Sequence, residues 1–104
     1  MNWNNPKNQE LITAILALKT TDEARRFLRD LMTAKEIEEF ANRLKAAEML
    51  TKRITYSKIE KETGLSSTTV ARVSKWLKSK NAGYKTIINR ISHPHSVQSR
   101  IGLS

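Results

Sequence analysis

Residues 62–77 read "ETGLSSTTVARVSKWL": one glycine, then four small hydroxyl side chains, then an arginine and a lysine among spaced apolar residues. Gly64 is preceded by Ile59 at five positions and followed by Leu65, Val70 and Val73 at one, six and nine. This spacing is that of a helix-turn-helix: a glycine frees the backbone for a sharp turn, and apolar residues at fixed offsets hold two helices at a wide angle. Thr63 stands at an offset usually apolar, a departure that its methyl group partly covers. On a helical wheel, Val70, Val73 and Leu77 fall on one side with Thr69 beside them, and Ser67, Thr68, Ala71, Lys75 and Lys78 on the other. Small hydroxyl and methyl groups let a helix settle into the major groove and meet base edges. The lysines further along pair with phosphates, and the helix N-terminus with Ser66 reaches the backbone.

Charge points the same way. The chain of 104 residues carries a formal net charge of +9, distributed unevenly. Residues 1–53 hold ten Lys/Arg against eight Asp/Glu, and residues 54–104 hold nine against two. A nearly balanced half joined to a strongly basic one suits a scaffold that carries a surface for a polyanion. With 38 % hydrophobic residues, three glycines and two prolines, a helical domain is expected. The absence of cysteine excludes disulfides and thiolate chemistry. No apolar run approaches a membrane span and the first residues lack a secretory pattern, so a cytoplasmic protein is expected.

Helical periodicity predicts elements at about residues 5–18, 20–31, 33–52, 56–64, 66–79 and 84–91, with a break at Gly83. Thr20 with Glu23 and Thr33 with Glu36 form capping boxes, Tyr56 or Ser57 opens the fourth helix, and Ser66 caps the fifth. The expected organisation is a helical dimerisation core over 1–53, the helix-turn-helix over 54–80, and a last helix with a mobile tail over 81–104. All belong to one domain.

The stretches "FLRDLMTAKEIEEFANRLKAAEML" and "SKIEKETGLSSTTVARVSKWL", about half the chain, resemble the tryptophan repressor family in its YerC/YecD-type branch. The resemblance implies an all-α intertwined homodimer from which helix-turn-helix units project onto a pseudo-palindromic DNA site, and a transcriptional repressor as the function. By position it puts DNA-facing residues at Tyr56, Ser57, Glu60, Ser66, Ser67, Thr68, Thr69 and Ala71, with Glu60 acidic where the repressor has a lysine. The two arginines that flank the corepressor indole in that family correspond to Arg43 and Arg72. The glycine and serine that make room for the ligand and hold its amino group correspond to Val73 and Trp76. A β-branched side chain and an indole at those positions imply an occluded pocket, partly filled by Trp76 itself, in a protein that does not use tryptophan. Arg43 and Arg72 are then left as structural or phosphate contacts.

Enzymatic activity is not expected. His93 and His95 flank Pro94 without the further ligands of a metal site, and the carboxylates of "KEIEEF" lie on a solvated helix face. No cofactor and no metal are called for. The expected partners are double-stranded DNA and a second copy of the chain, not a membrane, and a small-molecule effector is left open. The alternative is a protein-interaction module that keeps the helix-turn-helix without reading DNA. RNA binding is disfavoured by few aromatic residues for base stacking.

Overall fold

The computed structural model describes residues 1–92, all-helical apart from turns. The elements are α1 (Pro6–Leu16), α2 (Thr21–Leu31), α3 (Ala34–Thr51), α4 (Tyr56–Thr63), α5 (Ser67–Lys78) and α6 (Gly83–Ile91). The chain divides into two units, Met1–Ile37 and Glu38–Ser104. His93, His95 and the remainder of the expected tail lie outside the described residues.

In the first unit the helix starts follow directly from capping chemistry. Asn5 Oδ1 accepts from the Lys7 amide at 2.9 Å, and Pro6, which has no amide proton to satisfy, takes the first position of α1. Thr20 Oγ1 accepts from the Glu23 amide at 3.0 Å, while Glu23 Oε1 accepts from the Lys19 amide at 2.9 Å. Thr33 and Glu36 form the reciprocal pair at the start of α3, at 2.9 and 3.1 Å. Burial is another matter. Neither α1 nor α2 has a buried residue: Leu11, Ile12, Ile15, Leu16 and Leu31 are exposed, and Phe27 and Leu28 half-buried.

The second unit owns the core. Ala46, Ala47 and Met49 of α3, Ile59 of α4, Val70 and Val73 of α5 and Ile88 of α6 form one buried cluster, with Leu44, Leu50, Ile54, Leu65 and Tyr84 packed against it. Ile59 and Val70 are its largest fully buried side chains, and each contributes about 1.5–3 kcal/mol through burial. They sit on the two helices of the expected motif, so the hydrophobic effect that holds the unit together also fixes the motif.

Two turns in this unit use left-handed backbone without glycine. After α3, the Ile54 amide donates to the Met49 carbonyl at 3.1 Å and the Arg53 amide to the Leu50 carbonyl at 3.0 Å, with Arg53 at φ 60°. This is a Schellman cap in which arginine occupies the position glycine usually takes, and Ile54 makes the accompanying apolar contact. After α5, Asn81 is at φ 60°. The break expected at Gly83 therefore lies at Asn81, whose short amide side chain tolerates that region, and Gly83 opens α6.

Candidate nucleic-acid interface

Thr55 begins the site, its Oγ1 accepting from the Lys58 amide at 3.3 Å, so Tyr56 and Ser57 are the first residues of α4 and both are exposed. Gly64 ends α4 at φ 74°, its amide donating to the Glu60 carbonyl at 2.9 Å. Thr63 then ties the turn. Its hydroxyl donates to the Ile59 carbonyl at 2.7 Å and accepts from the Leu65 amide at 3.2 Å, and the residue is buried. An apolar side chain at that offset would pack but leave the Leu65 amide without this acceptor.

Ser66 caps α5 as expected, accepting from the Thr69 amide at 3.2 Å, and its own hydroxyl donates to Thr69 Oγ1 at 3.0 Å. These two hydroxyls are thus engaged with each other. Ser67 and Thr68 are exposed and make the open edge of the first turn, while Thr69 is half-buried.

The rest of α5 sorts cleanly by angle. Val70, Val73 and Ser74 are buried and Leu77 half-buried, so the opposite side centres on Thr68, Arg72 and Lys75, with Ala71 on one flank and Trp76 on the other. Those five residues line one open hollow. Ser67 and Lys78 are exposed on the Ala71 flank. Lys58 and Lys61 of α4 are exposed as well, and they are cations that motif spacing alone did not single out. Glu60 is half-buried.

The four positions that the family resemblance assigns to a ligand pocket have different surroundings. Val73 is in the core, 2 % exposed. Arg43 Nη2 donates to the Glu39 carboxylate one turn back, its guanidinium carbon lies 5.4 Å from the centroid of the Phe40 ring, and its buried Nε has no hydrogen-bond partner. Arg72 and Trp76 face outward into the hollow on α5. The Trp76 indole, expected to fill part of the family pocket, is 61 % exposed within the chain. The reason is angular: Trp76 stands three residues past Val73, on the far side of it from Leu77, and its larger side chain is turned out.

Among the described residues, no group of three or more His, Cys, Asp or Glu comes together, and no helix is long and apolar enough to cross a membrane. The site offers cations, hydroxyls, a methyl group and an indole.

Comparison with known proteins places this geometry. The chain is 40 % identical over 90 residues to the uncharacterized protein YerC of Bacillus subtilis (strain 168), covering 86 % of each. It superposes on a TrpR-like protein of Eubacterium eligens ATCC 27750 with TM-score 0.81 and 36 % identity, covering 86 % of this chain and 93 % of that one. A putative Trp repressor from Staphylococcus aureus gives TM-score 0.80 and 35 % identity, with 88 % and 95 % covered. The family model described as Trp repressor protein matches residues 7–92, from the start of α1 to the end of α6. The chain belongs to the Trp repressor family.

Proposed function

We propose that the chain is a sequence-specific, DNA-binding transcriptional repressor that acts in the cytoplasm as a homodimer on a pseudo-palindromic operator. One observation carries the reading: on α5, behind a glycine turn clamped from within by Thr63, the side opposite the core presents Thr68, Arg72 and Lys75 in a row. Ser67, Thr68 and Ala71 read base edges in the major groove. Arg72, Lys75 and Lys78 pair with phosphates, and Tyr56 and Ser57 at the start of α4 contact the backbone. Ser66 and Thr69 shape the N-terminal turn, whose free amides take a phosphate oxygen. Dimerisation is supported by α1 and α2, which have no fully buried residue within the chain and leave Leu11, Ile12, Ile15, Leu16 and Leu31 exposed.

Tryptophan is not the corepressor in this reading. Val73 is part of the core, and Arg43 is held by Glu39 and Phe40 on its own helix. A ligand would have to displace both arrangements. Selection of bound sites from random duplex DNA tests the main claim: a symmetric consensus with half-sites about one helical turn, roughly 34 Å, apart is expected. Failure to bind any duplex at low salt would favour a protein-interaction module instead. Calorimetric titration with tryptophan should give no saturable heat, and micromolar binding that tightens the DNA complex overturns the corepressor claim.

A further inference from the structure

Trp76 is the largest side chain on the outward side of α5, and it is 61 % exposed with Arg72 and Lys75 lining the same hollow. An indole exposed on the flank beside two cations leaves apolar surface in water. Its place along the helix decides what it can meet. Trp76 lies eight residues beyond Thr68, about 12 Å along the axis at 1.5 Å per residue. The major groove is about 12 Å wide, so when Ser67 and Thr68 are at base edges the third turn of the helix has reached the wall of the groove. Sugar and phosphate are there, not bases.

We infer that Trp76 is a DNA-backbone contact: its ring lies against a deoxyribose and its Nε1–H donates to a phosphate oxygen at the groove edge. The assignment rests on the reading of α5 as the recognition helix. The chemistry fits on both counts, since indole is a donor only and phosphate an acceptor only, and the ring's apolar faces match the sugar. Charge complementarity selects the occupant, because Arg72 and Lys75 draw a polyanion onto the same hollow and no acidic side chain lines it. The contact is neutral, which separates it from the lysines: it adds affinity on every sequence and releases no counterion.

The test uses the full chain carrying Trp3→Phe, which leaves Trp76 as the single tryptophan, and a mixed-sequence duplex at low salt. Binding followed by mobility shift should be accompanied by a change in Trp76 emission and by protection from acrylamide at the same midpoint. In the otherwise unaltered chain, Trp76→Phe should weaken binding roughly tenfold, the worth of one hydrogen bond to a charged group, with the slope of log affinity against log salt unchanged. DNA binding with no response from Trp76 overturns this assignment and leaves the regulator reading standing. An indole already shielded from acrylamide before DNA is added overturns it too, by giving Trp76 to the contact between two copies. No binding to any duplex sinks both.

Discussion

The hydroxyl of Thr63 bridges a carbonyl in the last turn of α4 and an amide beyond it, donating to the Ile59 carbonyl at 2.7 Å and accepting from the Leu65 amide at 3.2 Å. A position that pattern alone assigns to an apolar residue is thus a polar clip beneath the turn. Thr63→Val keeps the shape and removes both bonds. It should lower unfolding free energy by about 1–2 kcal/mol, because the Leu65 amide loses its acceptor in a part-buried place. Urea denaturation measures it, and a neutral or stabilising result would mean that the methyl group is all that matters there.

Gly64 stands at φ 74° with nothing within 4 Å of where a Cβ would be. The cost of Gly64→Ala is therefore the left-handed backbone alone, about 1–2 kcal/mol. The variant should fold and still bind DNA. A loss well beyond that range would show that the turn is crowded in a way the structure does not display.

Cations and hydroxyls on α5 should separate by salt. Lys75→Ala should weaken binding to all duplexes alike and flatten the salt dependence by about one unit, as expected for one lost phosphate contact. Thr68→Ala should change the preferred sequence and leave the slope alone. A sequence switch caused by Lys75→Ala would reverse the assignment of the two residues.

Sedimentation at micromolar concentration should find twice the chain mass. Leu16 is 78 % exposed at the end of α1, and Leu16→Lys should weaken the dimer by roughly tenfold or more, since an unpaired ammonium in an apolar contact costs at least 1 kcal/mol or so. A folded monomer in the unaltered protein would sink the homodimer.

Helix existence was legible because caps and periodicity are local. Thr20, Thr33 and Ser66 were readable from residues three positions away, and Gly64 from the need for positive φ. The outward side of α5 was readable in outline, since Val70 and Val73 fix its opposite. What escaped depended on partners that spacing does not encode. Arginine is not a residue from which a Schellman cap is read, so Arg53 gave no signal, and the break assigned to Gly83 belongs to Asn81. The Ser66 hydroxyl, readable as the cap of α5, also donates to Thr69 Oγ1 at 3.0 Å, a bond that spacing does not encode. Family position gives Trp76 to a pocket, and spacing alone does not show that its indole is exposed within the chain.

The core described above has a kinetic consequence. Its members come from helices that are neighbours in the sequence, with Ile59 and Val70 only eleven residues apart. Closing loops of that length costs little chain entropy, and the remaining partners on α3 and α6 are added by further short closures. Such a topology folds on the order of microseconds to milliseconds. The helix-turn-helix is then among the first parts of the chain to take its final form.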